Sequence, residues 1–138
     1  CRDLSEIANY ATVDNMQFKQ LKAHTPAPIT FILPATKDVP KKLAHPKKKT
    51  IGIRVPSNPI AQALLEAMGE PILTSSLMLP GEDIVMDDPF EIEERLGSLV
   101  DGLINAGIKT TKLTTIVDMT SSRAEIIRQG AADVSELI

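Results

Sequence analysis

The rhythm of apolar and polar positions changes several times along this chain, and each rhythm predicts an element. ITFILPA (residues 29–35) and TIGIRVP (residues 50–56) are short runs rich in β-branched residues, the pattern of strands. SNPIAQALLEAMGE, residues 57–70, carries the strongest helical signature. Ser57 or Asn58 can cap it, Pro59 suits its first turn, and Gly69 stops it. Ile60, Ala63, Leu64 and Met68 recur at helical spacing and predict its buried face.

Asp3 or Ser5 caps a shorter helix over Leu4, Ile7 and Ala8, and Asp14 caps a second bearing Met16, Phe18 and Leu21. A further helix starts near Asp88–Pro89, with Ile92, Leu96 and Leu99 facing inward. PILTSSLML, residues 71–79, has the apolar content of a third strand despite three hydroxyls at its centre. GLINAG, TTIVDM and EIIRQG read as closing strands, the last two joined by the turn TSSRA. Strands and helices that alternate until a final strand pair predict an α+β, or mixed α/β, fold: a mixed sheet flanked by helices.

Composition narrows the function classes. A chain of 138 residues suits one domain with a real core. Its 3% aromatic content argues against recognition by base stacking. No apolar run approaches the roughly 18 residues of a membrane helix, so no membrane partner is expected. Cys1 is the only cysteine, which excludes an internal disulfide and points to a reducing, cytoplasmic compartment.

The net charge of -3 hides two polarised segments. Residues 37–54 carry seven lysines and arginines against one acid, in a proline-punctuated loop that includes Lys47, Lys48 and Lys49. Residues 82–101 carry eight acids against Arg95. The lysine run could contact phosphates by counterion release, whereas the acidic helix reads as a solubility face.

Many catalytic templates are absent: no Walker loop, no G-x-G-x-x-G, no H-E-x-x-H and no G-x-S-x-G. His24 and His45 lack the spacing to carboxylates or cysteines that a zinc site requires, so no metal site is expected and both read as solvated loop residues. The remaining polar groups gather at strand ends. Arg54 lies two residues before the proline of its strand, Thr74 and Ser76 share a face, Thr114 opens TTIVD, and Arg128 precedes a closing glycine. Arginine forks and hydroxyl donors in such places suit an anion such as a carboxylate or phosphate.

The order of these pieces carries a resemblance. HTPAPITFILPATKDVP, TIGIRVPSNPIAQALLEAMGEPILTSS, TTIVDMT and IIRQG follow one another as in the YrdC/YciO family, and CRDLSEIANYA resembles that family too. KKKTIGIRVPSNPIAQALLEAMGEP followed by SLMLPG is most similar to its YciO branch. The resemblance implies a twisted mixed sheet flanked by helices around a concave, basic cavity. For the synthase branch it implies threonylcarbamoyl-adenylate formation from L-threonine, bicarbonate and ATP with magnesium. The threonine amine takes up bicarbonate as a carbamate, which attacks the α-phosphorus and releases pyrophosphate. That intermediate feeds threonylcarbamoyladenosine modification of tRNA, and double-stranded RNA binding is also attributed to the family.

Position by position, the resemblance assigns Arg54, Thr74 and Thr114 to threonine, and Ser76, Ile84 and Arg128 to the nucleotide. It identifies no catalytic residue and no tightly bound cofactor. Three positions depart from the family pattern. Leu77 and Met78 replace the Ala and Asn of a Ser-Ala-Asn motif, and Gln129 replaces a proline. A thioether has little of an amide's hydrogen-bonding capacity. The family's amino-terminal segment, with its Lys-x-Arg motif, has no counterpart here. The expectation is therefore a single YrdC-like domain over 1–138 lacking its amino-terminal portion. Two function classes stay open: a nucleotide- and threonine-binding enzyme, and a non-catalytic module for double-stranded RNA or tRNA that uses Lys47 to Lys49.

Overall fold

A computed structural model describes all 138 residues. They form two compact units: Cys1–Leu73 with Leu113–Ile138, and Thr74–Lys112. No helix is long and apolar enough to cross a membrane.

The first unit is built on a four-stranded mixed sheet. Its strands are β1 (Ile29–Pro34), β2 (Thr50–Ile53), β3 (Thr115–Asp118) and β4 (Glu125–Arg128), in the order β2-β1-β3-β4. β1 pairs antiparallel with β2 and parallel with β3, and β3 pairs antiparallel with β4 around a bulge. The expected mixed sheet is present, and the TSSRA turn joins its last two strands as anticipated.

Period-two alternation gives this sheet two unlike faces. Ile29, Phe31 and Leu33 of β1, Ile53 of β2 and Val117 of β3 are buried on the first face. They share one core with Ile7, Leu21, Val134 and Leu137. Phe31 and Leu33 are fully buried, so trimming either to alanine costs about 3–5 kcal/mol. The intervening residues Thr30, Ile32, Ile116 and Asp118 lie on the second face and are only half-buried.

The helices start where the caps predict. The Asp3 side chain accepts the Glu6 N–H at 3.0 Å to open α1 (Leu4–Tyr10), which contributes Ile7 to the core. Asp14 and Gln17 form a reciprocal capping box at the start of α2 (Asn15–Ala23). Leu21 is the buried residue of α2, while Met16 and Phe18 are exposed. In α3 (Pro59–Met68) Asn58 rather than Ser57 is the cap, and Gly69 takes the left-handed conformation that ends it, at φ 71°.

One predicted face is rotated. Leu65 is the buried residue of α3, whereas Ile60, Leu64 and Met68 are exposed. Gln62 explains the rotation: its Nε2 donates to the Pro56 carbonyl at 2.6 Å and to that of Arg2 at 3.2 Å, drawing its side of the helix inward.

Two expected strands are absent. Residues 71–79 form no strand: Leu73 is 81% exposed and Thr74, Ser75 and Ser76 are exposed beside it, so no face of the run is buried. The backbone beyond is satisfied by local bonds, Met78 N–H to the Ser76 carbonyl and Met86 N–H to that of Leu77. GLINAG also turns rather than extends. The Asn105 side chain accepts the Gly107 N–H at 2.9 Å, and Gly107 has φ 82°.

Within the second unit, Asp88 caps α4 (Pro89–Leu96) by accepting the Phe90 N–H. Ile92 and Leu96 are half-buried as expected, but the helix stops at Leu96, and Leu99 beyond it is 77% exposed. Arg95 holds Glu82 at 2.7 Å and Glu91 at 3.3 Å, gathering part of the acidic segment around one cation.

Candidate functional site

Strand register lines up polar groups across the second face of the sheet. Thr30 on β1 pairs with Ile116 on β3, and Ile116 pairs with Arg128 on β4. Arg54 follows Ile53, which pairs with Phe31, and lies between buried Ile53 and buried Val55. Alternation therefore sends Arg54 to the face that carries Thr30. Thr114, two residues before Ile116, completes the group.

Three of these side chains are bonded to one another. Arg128 directs Nε and Nη2 to the Thr114 carbonyl at 3.1 and 2.8 Å, and Nη2 also donates to the Thr114 hydroxyl at 3.2 Å. The Thr114 and Thr30 hydroxyl oxygens lie 2.9 Å apart. Arg54 differs: the residue is half-buried and its guanidinium makes no hydrogen bond and no ion pair, although its carbonyl accepts from the Cys1 amine at 2.8 Å. Acidic groups occupy the other end of this face, where Asp118 pairs with Glu125. The polarity of the face therefore favours an anion at the arginine end.

Close packing holds Thr114 in place. A Cβ at Gly130 would fall inside contact distance of the Leu113 and Thr114 backbone, so only glycine lets the chain after β4 approach there. Thr115 is fully buried and ties the same segment from the other side. Its hydroxyl donates to the Ala132 carbonyl at 2.7 Å and accepts the N–H groups of Gly130 and Ala132 at 3.0 and 3.1 Å.

The predicted residues thus separate into two sets. Arg54, Thr114 and Arg128 lie in the first unit on one sheet face. Thr74, Ser76 and Ile84 lie in the second unit, all exposed and outside any helix or strand. No hydrogen bond involves the side chains of Thr74 or Ser76, so their hydroxyls are not satisfied as in a sheet interior.

Lys47, Lys48 and Lys49 are exposed on a turn. His45 organises it: Nδ1 accepts the Lys47 and Lys48 N–H groups at 3.2 and 3.0 Å, while its own carbonyl accepts that of Lys49. The three lysine side chains make no ion pair. His45 is therefore a turn-forming residue rather than merely solvated. His24 is similarly committed at the end of α2, with Nδ1 2.8 Å from the Gln20 carbonyl.

Sequence reasoning missed Thr30 and Thr115. The available signal for Thr30 was its place between buried Ile29 and Phe31, which sends its hydroxyl to the face opposite the core. A cavity of about 140 Å³, lined by Gln17, Met119, Ser121 and Arg123 among others, contains none of the predicted residues.

The chain is similar in sequence and fold to known proteins. The family model Sua5_yciO_yrdC, described as telomere recombination, matches residues 1–130. The protein YciO of Escherichia coli K12 is 51% identical over 138 residues, covering 100% of this chain and 67% of that protein. A putative threonylcarbamoyl-AMP synthase of Methanocaldococcus jannaschii is 31% identical over 139 residues, covering 99% of this chain and 63% of that protein. The crystal structure of E. coli YciO matches with a TM-score of 0.94, over 100% of this chain and 67% of that one. P. abyssi Sua5 complexed with L-threonine shares the fold, with a TM-score of 0.85 at 22% identity over 97% of this chain and 39% of that one.

Proposed function

The chain belongs to the Sua5/YciO/YrdC family, and on that premise we propose that it binds L-threonine and an adenine nucleotide through the second face of its sheet. The observation that carries this reading is Arg54: a half-buried residue whose guanidinium has no acidic partner, one residue beyond the Phe31–Ile53 pair on the face that carries Thr30 and Arg128. Such a fork is matched to a carboxylate or phosphate. The threonine carboxylate neutralises Arg54, and Thr114 offers a hydroxyl beside it. Arg128, already anchored on Thr114, has donors to direct at a phosphate. By family resemblance alone, Thr74 is assigned to threonine and Ser76 and Ile84 to the nucleotide.

In the synthase chemistry the protein's contribution is positioning and charge stabilisation. The threonine carbamate attacks the α-phosphorus in line and pyrophosphate departs, with guanidinium groups offsetting the charge that develops. Magnesium enters with ATP as part of the substrate, and bicarbonate supplies the carbamate carbon. Met78 cannot donate as the family's Asn does, so nucleotide recognition through that amide is lost and adenylate formation is correspondingly slowed. Pyrophosphate exchange into ATP that depends on both L-threonine and bicarbonate tests the catalytic half of the proposal. Exchange independent of threonine contradicts it.

A second reading rests on a separate observation, the three unpaired lysines on the His45 turn. It makes the chain a binder of double-stranded RNA or tRNA, linked to threonylcarbamoyladenosine modification in the cytoplasm. Three phosphate contacts predict that log affinity falls with log salt at a slope of about -2 to -3. Replacing Lys47, Lys48 and Lys49 by glutamine removes most of that slope if this reading holds.

A further inference from the structure

Thr30 stands between a glycine on one side and a hydroxyl on the other. A Cβ at Gly52 would lie 3.2 Å from the Thr30 methyl carbon, so the methyl points toward β2 into space that a side chain at position 52 would crowd. The Thr30 hydroxyl is 2.9 Å from that of Thr114. A β-branched side chain has few permitted rotamers, and this pair of neighbours selects one of them. The Thr114 hydroxyl oxygen also accepts a hydrogen bond from Arg128 Nη2 at 3.2 Å.

Proton counting then constrains the cluster. The two threonines bring two hydroxyl protons, and their mutual hydrogen bond uses one. Arg128, which has no acceptor, fills a further lone pair on Thr114. With Thr30 donating, the Thr30 and Arg128 bonds fill both lone pairs of Thr114, which sets the direction of the Thr114 O–H. The pair therefore presents an oriented donor, suited to an anionic oxygen.

We infer that Thr30 is a positioning residue: through its hydroxyl it fixes the Thr114 hydroxyl for a carboxylate-bearing ligand, and Gly52 leaves uncrowded room for the Thr30 rotamer that does so. This inference rests on the proposed binding of L-threonine at this face. It assigns a role to two residues that carry no charge and lie 84 and 62 positions before Thr114.

Thr30→Val preserves shape and strand preference while removing the hydroxyl, and Thr30→Ser keeps the hydroxyl while removing the methyl. Calorimetric titration of L-threonine into the protein and both variants reads affinity. Three-bond couplings to the Thr114 methyl carbon read its rotamer without any ligand, and thermal unfolding confirms that each variant is folded. Loss of one hydrogen bond predicts about tenfold weaker binding in Thr30→Val, with Thr30→Ser within about twofold of wild type. The Thr114 couplings change from single-rotamer to averaged values in Thr30→Val only. Wild-type affinity in Thr30→Val overturns the inference, as does an equal loss in both variants. If the wild-type protein fails to bind L-threonine, the proposed ligand is wrong. The couplings then decide alone, with averaging in Thr30→Val upholding the positioning role and unchanged values overturning it.

Discussion

Arg128 grips Thr114 twice, through the carbonyl with two nitrogens at 3.1 and 2.8 Å and through the hydroxyl at 3.2 Å. The guanidinium is thus a structural strut across the β3–β4 pair as well as a candidate anion donor. Its planar fork is what allows both carbonyl bonds to be made together. Arg128→Ala is expected to lower unfolding free energy by about 1–2 kcal/mol, measured by urea denaturation, and to weaken nucleotide binding. Arg128→Lys keeps the charge but not the fork, so it recovers little of that stability.

Thr115 is the hydroxyl most committed to the fold. Fully buried, it makes one donated and two accepted hydrogen bonds with the Gly130–Ala132 segment. Thr115→Val keeps the volume and leaves the Gly130 and Ala132 N–H groups without their acceptor, while the Ala132 carbonyl keeps the Gln129 amide at 2.8 Å. The expected loss is roughly 2–4 kcal/mol of stability, with Thr115→Ser recovering most of it in the same denaturation experiment. Because Gly130 packs against Thr114, the valine variant also disturbs the Arg128 contact.

Met78 offers a test by gain rather than loss. It is 37% exposed, so a polar replacement there meets water rather than a sealed core. Leu77→Ala with Met78→Asn restores the family's Ser-Ala-Asn order and is expected to raise ATP affinity by about three- to tenfold, the worth of one hydrogen bond. Stability should change by under about 1 kcal/mol. Titration of ATP into both proteins reads the difference.

These outcomes depend on features that were unequally legible in the sequence. Helix starts were legible because capping is local: Asp3, Asp14, Asn58 and Asp88 each bond a backbone N–H two or three residues onward. β1 and β2 were legible because their alternation is regular and one face is buried. Residues 71–79 misled because apolar content alone does not make a strand, which also needs a partner and a buried side; Leu73 has no buried side. The inward face of α3 was hidden by Gln62, a polar residue drawn in by carbonyls that spacing rules ignore. Within the candidate site, arginines announced themselves by charge. Thr30 did not, because its meaning comes from Thr114, 84 residues later.

Arg54 separates a binding role from a structural one more cleanly than any other residue. Its side chain holds nothing within the protein, so Arg54→Ala should shift unfolding free energy by no more than about 0.5 kcal/mol. The decisive measurement is titration of L-threonine into the wild-type protein and Arg54→Ala, with unfolding recorded alongside. A threonine site at Arg54 predicts binding by the wild type and a loss of about tenfold or more in the variant, with stability unchanged. Absence of binding by the wild type, or equal affinity in the two proteins, would contradict it.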